Sequence, residues 1–250
     1  MIDREKYRYD DFTVSQYVKY LEVASSNYKF TSFADALTSD GFLLNRHDID
    51  FCMSHALRLA KEEHALGLKS TYFLHLHSEN YNLLDKVNSD MVYGILKLGH
   101  HIGVHFDSHY YNIDDESQLE DALGRDHLLI ERVFNIKCEV FSFHNTNKFT
   151  MGCKKLRYSG LLNAYATEFM DDMKYCSDSN GYWRFDRLFD LINSKVNTNM
   201  HVLTHPVWWQ DDMKSPWQKI ESTIMNRAAK NLEMYNEYLR KFNMKNIGND

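Results

Sequence analysis

The sequence predicts an α/β fold in which a parallel sheet is covered by helices. Three observations lead there. Apolar runs of strand length alternate with longer segments whose apolar residues recur at helical spacing. The connections are short, and only two prolines and ten glycines occur in 250 residues, which argues against low-complexity linkers. Titratable residues stand just after the apolar runs, where parallel α/β folds place their sites. The pattern fits a closed or nearly closed barrel and an open sheet equally.

In chain order, Val14, Tyr17, Val18 and Leu21 form a helical stripe over Thr13 to Ala24, with Thr13 as N-cap, expected as a lid helix outside the core. A strand follows at Phe42 to Asn45. Ser54 precedes a helix through Ala56, Leu57, Leu59, Ala60 and His64 that ends near Gly67. Thr71 to Leu76 reads as a second strand, Ser89-Asp90 as the cap of a helix bearing Met91, Ile95 and Leu98, and His101 to Phe106 as a third strand. A long helix covers Asp114 to Phe134 and a strand Val140 to Phe143. Weaker strands at Ala164 to Ala166 and Tyr175 to Ser177, a helix near Arg187 to Asn193 and a strand at His201 to Thr204 continue the alternation. Ser215 and Pro216 open a last helix, with Ile220, Ile224, Ala228, Leu232, Tyr235 and Leu239 at helical spacing.

Apolar residues make up 44% and charged residues 26%, which suits one folded domain over residues 1–250, with a helical extension over 1–40 and a C-terminal helix over 216–243. A net charge of −6 offers no basic face for nucleic acid. Cys52, Cys138, Cys153 and Cys176 lie far apart, as free thiols in a reducing compartment do. The N-terminus has no apolar leader core and no run reaches membrane-span length, so the expected location is the cytoplasm. Nothing in the sequence fixes an oligomeric state.

The chemistry is carried by short stretches. His105 and His109 stand four apart, which is metal-ligand spacing if the segment coils. Asp48 and Asp50, two apart at the end of a strand, share a face in extended chain, so one can bind a cation while the other takes a proton from water. Further apolar runs end at His144, Asp178 and His205.

In order and spacing these stretches, Arg46-His47-Asp48-Ile49-Asp50, His105 to His109, Phe143-His144, Ser177-Asp178 and Thr204-His205-Pro206, resemble the polysaccharide deacetylase superfamily, also called the NodB-homology or carbohydrate esterase family four fold, in a diverged branch. The resemblance covers roughly residues 40–210 and implies a distorted (β/α) barrel of about seven parallel strands. It implies Asp48 as general base, Asp50, His105 and His109 as ligands of a divalent metal (zinc first, then cobalt, nickel, manganese or iron), His205 as general acid and Asp178 as its tuning carboxylate. The family's third-motif arginine is absent here, where Phe143-His144-Asn145-Thr146 stands instead, leaving Arg46 or Arg184 to steady the base. Phe51 replaces the glycine usual after the second aspartate.

Each residue has a plainer alternative. Asp48 and Asp50 could cap the next helix. His101 is expected to be structural, as are His75 and His77, while His144 divides evenly between substrate contact and packing. Trp208 and Trp209 are expected to wall a sugar ring, with Arg184 as a further substrate contact, although core packing would account for one indole. The expected activity is removal of an N-acetyl group from an acetamido sugar that is nucleotide-, lipid- or glycan-linked and belongs to surface-polysaccharide synthesis. The competing expectations are a deformylase or other non-peptide amide hydrolase, and a carbohydrate-binding protein without turnover.

Overall fold

The structure is a computed structural model that describes residues 4–248. Helix α1 (Arg4–Tyr7), a 3₁₀ turn (Tyr9–Phe12) and α2 (Val14–Asn27) precede β1 (Lys29–Phe30), α3 (Phe33–Ala36) and β2 (Phe42–Ile49). Next come α4 (Met53–Ala65), β3 (Thr71–Leu74), α5 (Lys86–Lys97), β4 (His101–Phe106), α6 (Glu116–Phe134) and β5 (Val140–Phe143). The last part holds α7 (Lys148–Gly152), β6 (Arg157–Tyr158), β7 (Leu161–Asn163), α8 (Thr167–Met170), β8 (Lys174–Ser177), α9 (Leu188–Ser194), β9 (Met200–Thr204) and α10 (Pro216–Lys241).

The strands form one sheet in the order β6-β7-β5-β4-β3-β2-β9-β8, with β1 beside β2. Every pair is parallel except the β6–β7 hairpin, so the path from β7 to β8 is a run of parallel strands of the expected number. The sheet curls into a half-barrel. Arg46 on β2 reaches the Tyr165 hydroxyl just after β7, across the strands between them. Among the described residues the two ends, β6 and β8, do not pair.

Strand β2 is buried along its whole length, and alternation sends its polar residues to two places. Arg46 and Asp48 point into the half-barrel. Asn45 and His47 point outward beneath α2 and α4, where Glu63 Oε1 accepts from Asn45 at 2.6 Å, from the Tyr17 hydroxyl at 2.6 Å, and lies 2.7 Å from His47 Nε2. Burial pushes the Glu63 pKa up, but His47, then His100 and the Tyr17 hydroxyl, outweigh it and hold the carboxyl at about 2. Since Tyr17 belongs to α2, that helix is part of the packed outer layer, which corrects the expectation of a lid.

Three local expectations also shift. Helix α5 begins at Lys86 because the Asp85 side chain caps it by accepting from the Asn88 amide; Ser89 and Asp90 lie inside. The strand expected at Ala164 to Ala166 sits at Leu161–Asn163, since Ser159 and Gly160, both at positive φ, make a two-residue turn that pairs it with β6. On α10 the apolar stripe is largely exposed: Ile224, Leu232 and Tyr235 face outward, and Lys219, Thr223 and Leu239 are the buried residues.

Lys219 is the link from α10 to the loop after β9. Its Nζ donates to the Phe12 carbonyl at 2.6 Å and the Trp208 carbonyl at 2.5 Å. Burial lowers its pKa from 10.5 to about 7. Between those values the unfolded chain holds a proton that the native chain has released, so folding stability rises with pH across that window, by at most ~1.4 kcal/mol per pH unit from this group. Urea unfolding of Lys219→Met between pH 7 and 10 is expected to show a flatter stability profile than the unsubstituted chain; equal slopes would place the proton elsewhere.

Candidate metal centre and its acid–base groups

The site lies at the carboxyl ends of β2, β3, β4, β5 and β9. Arg46 donates to Asp48 through both arms of its guanidinium, Nε to Oδ1 at 2.8 Å and Nη2 to Oδ2 at 2.6 Å. It is sandwiched between the Phe73 ring at 5.2 Å and the Tyr165 ring at 4.9 Å. Burial works against the Asp48 anion, yet Arg46 outweighs it, and the carboxyl lies below its ordinary range. Arg46 therefore steadies Asp48. Arg184 is exposed and stacks on Tyr182, the only partner its guanidinium has among the described residues.

One residue past β2, Asp50 meets imidazoles from three other strands. Its Oδ1 lies 3.0 Å from His105 Nε2 and 3.3 Å from His144 Nδ1, and those two nitrogens are 3.2 Å apart. His75 joins the cluster, with one ligand atom within 4.8 Å of those of Asp50 and His144. His105 Nδ1 is turned away to the Ser142 hydroxyl at 2.7 Å, and the same hydroxyl donates to Asp48 Oδ1 at 3.4 Å. That hydroxyl can then only accept from Nδ1–H, which leaves His105 Nε2 as the bare nitrogen facing Asp50.

The cluster fits a divalent cation. Three donor atoms separated by 3.0–3.3 Å match the edges of a tetrahedron with metal–ligand bonds of ~2.0–2.1 Å. Asp50 Oδ1 is buried without an aligned hydrogen bond, although two ring nitrogens are near it. A buried carboxylate oxygen without an aligned donor is a place that a bound ion would satisfy. Burial raises the Asp50 pKa, and the two imidazoles outweigh it and hold the carboxyl well below the usual range. Burial and then His105 and His144 push His75 down to about 3, keeping its ring neutral.

His109 is not part of this cluster. Asp107 Oδ1 accepts from the His109 and Tyr110 amides and closes a turn right after β4, so the four-residue spacing is not helical. The His109 ring is exposed and Nε2 donates to the Asn145 carbonyl at 2.7 Å. His75, read from the sequence as structural, stands where the third imidazole was expected. Its signal was position: like the other stretches, it directly follows a strand. His77 keeps a structural place, half-buried, stacked on Tyr110 and 3.2 Å from Asp126. His101 sits at the far end of β4, exposed.

On the opposite side of Asp50, His205 Nε2 lies 3.9 Å from Oδ2. Its Nδ1 is 2.6 Å from Asp178 Oδ1, and its backbone amide reaches both carboxylate oxygens at 3.0 Å. Burial lowers the His205 pKa, but Asp178, with Asp50 and Asp48 behind it, raises it to about 9. Trp209 is fully buried and its indole N–H donates to Asp178 Oδ2 at 2.8 Å, so it positions the carboxylate and does not wall a sugar. Trp208 is 8% exposed and packs against Gly181 and Phe51, which likewise leaves no open indole face.

No family model and no curated protein sequence matches the chain. Among solved structures, it is similar to a pseudoenzyme from Bacillus anthracis (16% identity, 77% of this chain and 62% of that one, TM-score 0.43). It is also similar to the chitin deacetylase of Colletotrichum lindemuthianum (14%, 76% and 83%, 0.42) and to the catalytic domain of a peptidoglycan N-acetylglucosamine deacetylase from Eubacterium rectale (17%, 76% and 86%, 0.46). The pseudoenzyme is a carbohydrate esterase family four protein. This chain spans 64% of the length of the first similar structure, a variant of that pseudoenzyme with restored activity.

An NMR titration of the metal-free protein is expected to find His205 protonated to about pH 9, and Asp178→Asn to move that midpoint down toward ~6.5. An unchanged midpoint would remove Asp178 as the cause.

Proposed function

We propose that the chain is a metal-dependent hydrolase that removes an N-acetyl group from an amino sugar. The observation that carries the hydrolytic part is the placement of an anionic carboxylate, Asp48, beside a cation cradle at Asp50, with a carboxylate-bound imidazole, His205, facing that cradle from another strand. The amino-sugar part rests on the resemblance of the sequence stretches. Two or more neutral imidazoles with one carboxylate favour zinc, with cobalt, nickel, manganese or iron as alternatives.

A bound cation would supply Lewis acidity toward the acyl oxygen and lower the pKa of water from ~16 toward ~7. Asp48, kept anionic by Arg46, accepts the proton that the attacking water gives up. Water adds to the acyl carbon, and the carbon–nitrogen bond then breaks with its electron pair on nitrogen. His205 has Nδ1 committed to Asp178, so Nε2 is the nitrogen that can protonate the leaving amine. Acid and amine leave, and the proton on Asp48 returns to His205 through solvent.

Release of acetate or formate from a panel of nucleotide-, lipid- and glycan-linked N-acyl amino sugars tests the reading and separates deacetylation from deformylation. Asp48→Asn is expected to retain metal and lose at least ~10²-fold in kcat. His205→Ala is expected to lose a similar factor on the amide and much less on an activated ester, whose leaving group needs no proton. Metal bound with no release from any substrate would leave a carbohydrate-binding protein.

A further inference from the structure

His75 has no role in that reaction, and its surroundings ask for one. Ile49 pairs with Leu74, and Leu74 with Val104. The next residues, Asp50, His75 and His105, therefore stand at one level on three adjacent parallel strands and, by alternation, on one face. His75 is 4% exposed, yet neither ring nitrogen has a hydrogen-bond partner. A buried polar group left unpaired costs ~1–3 kcal/mol, and native interiors rarely carry one.

Two neighbours define what the ring can do. Asp107 Oδ2 is 3.6 Å from Nε2, just beyond hydrogen-bond distance, while Asp107 Oδ1 accepts from the His109 and Tyr110 amides. A carboxylate behind one ring nitrogen is the usual companion of an imidazole that gives its other nitrogen to a metal. The His144 ring centroid lies 4.3 Å away, which brings the His75 ring alongside the cradle.

We infer that His75 is a protein ligand of the cation, which is then held by Asp50 and the three imidazoles of His75, His105 and His144. This rests on the metal-centre reading above. One carboxylate with three imidazoles would select borderline cations over magnesium or calcium. His109 takes no part.

Zinc affinity, measured by competition with a chromophoric chelator, and zinc X-ray absorption of the wild-type protein test this. Expected are three imidazoles per zinc in the wild type, two in His75→Ala, and an affinity at least ~10-fold weaker in His75→Ala and His75→Gln, with His109→Ala within ~2-fold of wild type. Circular dichroism of the metal-free variants checks that they are folded. Wild-type affinity in a folded His75→Ala, or an imidazole count unchanged by it, overturns the inference and leaves the metal reading standing. A wild-type protein that binds no zinc, cobalt, nickel, manganese or iron overturns both.

Discussion

The structure depends on the buried pair of Arg46 and Asp48. Both are taken almost wholly out of water, at 0% and 2% exposure. Desolvation of that kind costs several kcal/mol per ion unless geometry returns it. Here the return comes from the two-armed contact and from the rings of Phe73 and Tyr165 on either side of the guanidinium. Because the partners are two apart on one strand, their meeting is set by backbone alternation. The same alternation delivers Asp50 to the next level. Phe73 in turn crosses Gly103, where a Cβ would come within 2.6 Å of the ring, so the stack beneath the site also sets how closely β3 and β4 approach.

The outward face of β2 ties the strand of Asp48 to the strand that leads into His205. His47 Nδ1 is 2.6 Å from the Thr204 hydroxyl, and Thr204 ends the strand that carries His205. His47 Nε2 meets Glu63, which also accepts from Tyr72 on β3 through its second oxygen. One buried carboxylate on α4 thus holds β2 and β3 directly and, through His47, β9, the three strands that lead into Asp50, His75 and His205. Asp178 does the same for His205, accepting from it and from Trp209, whose ring packs against Phe12, Tyr17 and Tyr20 in the outer layer.

What was legible in the sequence follows from which interactions are local. Strand ends are local, and Asp50, His144, Asp178 and His205 directly follow strands as expected, whereas Asp48 and His105 stand within β2 and β4 themselves, one residue before each strand ends. The destination of His109 depended on whether residues 107–112 coil as helix, and an aspartate accepting from two following amides decided it otherwise. His75 had the same local signal, a place directly after a strand, but its alignment with Asp50 and His105 depends on register across three strands, which a single sequence does not display. The two tryptophans illustrate a third limit: an indole after a site histidine reads as a sugar platform, yet the requirement that a buried N–H find an acceptor took Trp209 to Asp178. On α10, spacing predicted the helix correctly but not which face the domain would cover.

Exposure across the cluster gives the site a direction. By side-chain exposure, His105 and Asp48 are both at 2% and His75 at 5%, forming a floor; His144 at 16%, Asp50 at 17% and His205 at 14% form the accessible edge. The carboxylate of Asp50 stands between the two exposed imidazoles, with Oδ1 toward His144 and Oδ2 toward His205. A substrate amide entering there would meet His144 and the cation cradle on one side and the proton-bearing Nε2 on the other. Asp48 would act from beneath, held by Arg46. Strand order itself puts His144 and His205 on opposite sides of Asp50, because β9 and β4 flank β2 and β3 on opposite sides.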